Sequence, residues 1–101
     1  AGRFPQVAGL GYAFDVSKPV GERVSDVTVM RDGTPEPLDP SATYGVVSND
    51  YVRKGGDGYD VFASEAGNVY DFGPSLDEVV ADYLVANAPY TPAVDGRIVA
   101  R

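Results

Sequence analysis

Twelve glycines and eight prolines are spread through 101 residues, and they cut the chain into short elements. Val7 to Phe14 reads as a strand, with Leu10, Tyr12 and Phe14 on one face. Its other face carries Gly9, Gly11 and Ala13, small residues that let a neighbour pack very close. A turn through Ser17, Lys18, Pro19, Val20 and Gly21 leads to a second strand from Val24 to Met30. There Val27 and Val29 face one way, Thr28 and Met30 the other. Asp32-Gly33 is a hairpin signal, because glycine accepts the positive φ of a type I′ turn. Pro35 and Pro37 have no N–H to donate and are expected to break the ladder beyond it. Asp39-Pro40 sets a further turn.

Tyr44 to Asn49 predicts another short strand, and Asp50 to Lys54 one helical turn that Gly55-Gly56 stops. The clearest element is a helix from about Leu76 to Asn87. Ser75 and Glu78 have capping-box spacing, and Asp77 and Glu78 lie in the first turn, where the helix dipole favours negative charge. Leu76, Val79, Val80, Tyr83 and Leu84 recur at helical spacing as one apolar stripe, and Pro89 and Pro92 follow the end. Ile98 and Val99 predict a last short strand. The expected class is α+β: a short mixed or antiparallel sheet with a β-hairpin, covered by one long C-terminal helix, in a single domain over residues 1–101.

Missing residue types bound the chemistry. There is no cysteine, hence no disulfide, thiolate metal site or thiol nucleophile. There is no histidine, which removes the commonest general base and most transition-metal sites. The net charge of −7 argues against binding a nucleic acid polymer, which needs a basic surface, and against a polybasic membrane patch. No apolar run approaches the roughly 18–20 residues of a membrane span.

One segment holds a candidate site. Tyr51 opens the helical turn, Gly55 and Gly56 let a ligand approach the backbone, and Asp57 is flanked by glycines that leave it accessible. Such a set suits a nucleoside: a ring stacks on the base, and a carboxylate accepts two hydrogen bonds from ribose hydroxyls. A plain helix stop with a core aromatic explains the same residues. Gly55 to Phe62 also matches one copy of a calcium-binding repeat, so a non-enzymatic structural or interaction module holding one calcium ion through Asp57 and Asp60 is the alternative. Arg3, beside Phe4 and Pro5, reads as a ligand contact or a solvated edge.

Several motifs, in order, carry a resemblance. They are Gly2-Arg3-Phe4-Pro5-Gln6-Val7-Ala8-Gly9-Leu10, Tyr12-Ala13-Phe14-Asp15, Pro19 through Val24, and Leu38-Asp39-Pro40 with Thr43-Tyr44. Asn49-Asp50-Tyr51 through Gly58-Tyr59 and Asp95-Gly96-Arg97-Ile98 complete the set. Together they resemble the C-terminal domain of the 5′-nucleotidase family, secreted or periplasmic dimetal phosphohydrolases that include UDP-sugar hydrolases and 2′,3′-cyclic phosphodiesterases. The resemblance implies a substrate-binding role in nucleotide catabolism, with no catalytic residue in this chain. It gives Tyr51 the role of stacking aromatic and Asp57 that of ribose acid. Gly55 and Gly56 are the glycines between them, and Gly2 makes a weaker backbone contact. Two divalent metal ions belong to an N-terminal metallophosphoesterase domain. The second stacking aromatic and substrate-binding arginines are expected upstream, so that Ala1 resembles a start inside the domain. The surface left open there is expected to favour self-association.

Overall fold

A computed structural model describes residues 3–101. Contacts divide them into two compact units. One comprises Pro5–Thr43 with Ala93–Arg101, the other Arg3 and Phe4 with Tyr44–Pro92.

The first unit is a four-stranded mixed sheet. Its strands are β1 (Leu10–Phe14), β2 (Val24–Arg31), β3 (Thr34–Pro37) and β4 (Ile98–Ala100), in the order β3-β2-β1-β4. β1 pairs antiparallel with β2 and parallel with β4. The hairpin turn forms as expected, with Asp32 at φ 51° and Gly33 at φ 79°, the two left-handed positions of a type I′ turn. The register slips between Gly11 and Ala13, opposite Asp26, whose φ of 52° marks a bulge. Arg101 forms an ion pair with Asp26 across this region.

β1 is shorter than expected, starting at Leu10 after the left-handed Gly9. The close approach on its small-residue face is real. A Cβ at Gly11 would lie 2.8 Å from Thr28 Oγ1 and 3.2 Å from the Arg97 carbonyl oxygen. Ala13, two residues on, is only 2% exposed and is the one buried apolar residue among those described.

Two expectations are corrected here. Pro35 and Pro37 do not break the ladder, because Thr34–Pro37 pairs with β2 as an edge strand. The two prolines are two positions apart, so their missing N–H groups face the same way, to the unpaired outer edge. Tyr44 to Asn49 forms no strand: no neighbouring strand pairs with it among the described residues, and alternating valines alone do not make one.

The second unit holds α1 (Asp50–Arg53), a 3-10 turn (Gly56–Gly58), α2 (Asp60–Ser64) and α3 (Leu76–Ala86). α3 starts at Leu76 with Ser75 at its N-cap, as the spacing predicts, although the Ser75 side chain makes no capping hydrogen bond. The helix exists, and its apolar stripe is open. Leu76, Val79, Val80, Tyr83 and Leu84 are all exposed, between 42% and 63%. Helical periodicity marks a face able to bury; what it buries against depends on other parts of a fold.

Two turns carry the same local device. Ser17 Oγ and N–H both donate to Asp15 Oδ1, at 2.6 and 2.9 Å. Ser41 Oγ and N–H do so to Asp39 Oδ1, at 2.7 and 2.9 Å. The hydroxyl bond first, and the amide bond second, hold each carboxyl below the ordinary value of 3.8. A depressed folded value stabilises the fold above 3.8, and that contribution disappears as pH falls through the folded value. Acid melts below pH 4 are therefore expected to fall less steeply for Asp15→Asn with Asp39→Asn than for the parent protein. Parallel melting curves for the two would remove the role of these turns.

Candidate functional site

The site is built on the short turn α1. Asn49 caps it, its Oδ1 accepting the Val52 N–H at 2.8 Å, and Asp50 Oδ1 accepts the Tyr51 N–H at 2.9 Å. Both bonds fix the start of the turn and place Tyr51 at its second position with the side chain largely in solvent, 59% exposed. Gly55, at φ 96°, ends the turn in the left-handed region, and its N–H donates to the Val52 carbonyl at 3.0 Å.

The next residue sets the ring. A Cβ at Gly56 would lie 2.5 Å from Tyr51 Cδ1 and Cε1, so one edge of the phenol ring rests on the Gly56 backbone. Asp57 follows at once, exposed and at φ 55° inside the 3-10 turn. Asp and Asn tolerate this left-handed conformation better than most side chains. Three of the residues singled out from sequence, Tyr51, Gly56 and Asp57, are thus brought together, with Gly55 as the hinge into them. Gly2 lies outside the described residues.

Arg53 braces the other side. Its Nη1 donates to the Phe62 carbonyl at 2.7 Å, which ties α1 to α2 around the glycine loop, and its Nε lies 3.2 Å from Asp71 Oδ1. Tyr59 and Phe62 stack with ring centres 6.0 Å apart.

The sequence alone leaves Arg3 open as a ligand contact or a solvated edge. It is no free edge: its Nε donates to the Asp57 carbonyl at 3.1 Å, and a Cβ at Gly58 would fall on its guanidinium. Phe4, next to it, is 44% exposed and was not singled out at all. A separation of 54 residues between Arg3 and Asp57 leaves no periodicity or spacing by which to find the pair.

Among the described residues, no group of three or more His, Cys, Asp or Glu side chains is placed to hold a metal ion. Nor do Asp57 and Asp60 find a third carboxylate for calcium among the described residues.

Known proteins give the context of this arrangement. The family model for the 5′-nucleotidase C-terminal domain matches residues 1–64. A trifunctional nucleotide phosphoesterase, YfkN of Bacillus subtilis, is 37% identical over 96% of the chain, which covers 7% of that protein. A snake venom 5′-nucleotidase of Macrovipera lebetinus is 32% identical over 96% of the chain, which covers 24% of it. The crystal structure of a 5′-nucleotidase precursor from Thermus thermophilus superposes with a TM-score of 0.93 at 44% identity, over 99% of this chain and 20% of that one. The chain spans less than a quarter of the length of each.

Proposed function

Because the chain belongs to the family of 5′-nucleotidase C-terminal domains, we propose that residues 1–101 are the C-terminal part of such a domain. They form the nucleoside-recognition portion of a dimetal nucleotide phosphohydrolase and carry no catalytic group. One observation carries this reading. The exposed Tyr51 ring is seated on Gly56, and the exposed Asp57 is the very next residue.

In this reading the Tyr51 ring stacks on the base. The Asp57 carboxylate accepts hydrogen bonds from the ribose 2′- and 3′-hydroxyls, which it is suited to do because an ionised carboxylate only accepts. Gly55 and Gly56 leave backbone open to the ligand, and Gly2 adds a weaker backbone contact. Binding energy from base and sugar then positions the phosphate for a reaction elsewhere, at two divalent metals held by a preceding metallophosphoesterase domain. The ligand is a nucleotide or nucleoside, not a nucleic acid polymer.

A periplasmic or secreted location goes with this reading, supported by the venom relative and the precursor among the similar proteins. The exposed stripe of α3 is then surface for the rest of the longer protein, or for a second copy.

The test is made in the protein that carries this chain. Tyr51→Ala is expected to weaken nucleoside binding by about 1–3 kcal/mol, the value of one base–aromatic stack. Asp57→Asn is expected to weaken ribonucleotides more than their 2′,3′-dideoxy counterparts, since only the former present both hydroxyls. An unchanged KM for Tyr51→Ala would remove the stacking role. Equal losses for both sugars in Asp57→Asn would remove the ribose role.

A further inference from the structure

The loop that presents Asp57 is built mostly of glycine. Gly55, Gly56 and Gly58 surround the acid, and none of the three has a side chain of its own to limit how the loop turns. Within the turn, the Tyr59 N–H reaches the Gly56 carbonyl at 3.1 Å. A carboxylate that must meet two ribose hydroxyls at once needs a fixed direction, and glycines by themselves leave the backbone around it free to turn.

Arg3 supplies the missing restraint from far along the chain. Its Nε takes the carbonyl of Asp57 itself at 3.1 Å. Its guanidinium lies over Gly58, where any Cβ would collide with it. One side chain therefore engages the peptide unit that follows the Asp57 Cα and the residue beyond it. The bond is charge-assisted, and the planar guanidinium makes it directional in a way an ammonium does not. Arg3 is itself exposed, so it is not needed to fill a core.

We infer that Arg3 is a positioning residue for sugar recognition: by clamping the Asp57–Gly58 backbone it aims the Asp57 carboxylate and so sets the preference for ribose over sugars lacking the hydroxyls. This rests on the nucleoside reading above. It adds a residue that acts through Asp57, without touching the ligand.

The experiment measures steady-state kinetics of the full protein with a ribonucleoside 5′-monophosphate and its 2′,3′-dideoxy analogue. Arg3→Ala, Arg3→Lys and Asp57→Asn are compared. Loss of a hydrogen bond from a charged donor predicts a KM for the ribonucleotide raised about tenfold in Arg3→Ala. The change in kcat is expected to be smaller than that in KM, and the dideoxy substrate nearly indifferent. Arg3→Lys is expected to recover part of the loss, since an ammonium reaches a carbonyl without covering Gly58. Hydrogen exchange at the Gly58 and Tyr59 amides is expected to quicken in Arg3→Ala with the melting temperature unchanged.

If Asp57→Asn discriminates the two sugars and Arg3→Ala does not alter KM, the positioning role is overturned and the nucleoside reading stands. Equal losses on both substrates in Arg3→Ala would make Arg3 a direct ligand contact and also overturn it. If Asp57→Asn itself fails to discriminate, the ribose reading falls, and the role of Arg3 falls with it.

Discussion

Gly56→Ala is expected to lower both the stability of the helical unit and its affinity for a nucleoside. The new methyl carbon would meet the Tyr51 ring at 2.5 Å and the Tyr51 carbonyl oxygen at 2.6 Å. The ring can swing aside, but the carbonyl belongs to the backbone of α1 and can retreat only by distorting the turn. Overpacking of this kind costs about 1–3 kcal/mol. Gly56 has no positive φ, so the effect is steric and not conformational. The loss of affinity is expected to exceed that of Tyr51→Ala, because a displaced ring obstructs the site where a missing ring only vacates it. Gly45→Ala is the control in the same unit: nothing lies within 4 Å of a Cβ there. Urea denaturation and calorimetric titration with a nucleoside measure the two effects. Wild-type values for Gly56→Ala would show that the ring is not seated on residue 56.

Gly11→Ala is expected to be the most damaging change in the sheet. Gly11 sits between two neighbours, Thr28 on β2 and the carbonyl of Arg97 at the entry to β4. A Cβ would be 2.8 Å from Thr28 Oγ1 and 3.2 Å from the carbonyl oxygen. Thr28 can change rotamer, whereas the carbonyl can move only with the strand behind it, and the expected cost is about 1–3 kcal/mol. Adding Thr28→Ala to Gly11→Ala is expected to restore part of the loss, because the two residues share one contact and their effects do not add. A double variant as unstable as the sum of the single variants would refute the shared contact. An undiminished melting temperature for Gly11→Ala would refute the close approach itself.

Much of the local structure was legible before any coordinates. The type I′ turn at Asp32-Gly33, the stop at Gly55 and the span of α3 from Leu76 follow from signals only a few residues long. The small-residue face of β1 pointed to a close neighbour, and the contacts at Gly11 show one. The closeness of the candidate residues was legible too. Tyr51, Gly56 and Asp57 lie within a few residues of one another, so a single turn of chain was enough to bring them together.

What local signals mark as a strand or a helix is a capacity, and pairing decides whether it is used. Val46 and Val47 belong to a run that reads as a strand, yet it finds no partner strand, and they remain 65% and 99% exposed. Pro35 and Pro37 read as a break, yet β2 accepts their strand because both prolines turn to its outer edge. The stripe of α3 reads as core and is exposed.

Sequence by itself determined the hairpin turn at Asp32-Gly33, the start of α3 and the closeness of Tyr51, Gly56 and Asp57, because backbone sterics and hydrogen bonds act over a few successive residues, whereas α2 at Asp60–Ser64 was not foreseen. Only the tertiary structure decided that Arg3 reaches Asp57, that Arg97 approaches Gly11 and that Thr34–Pro37 joins the sheet edge. Those contacts join residues that share no turn or helical repeat, or depend on which edge a strand presents. Their existence depends on where the intervening chain has folded.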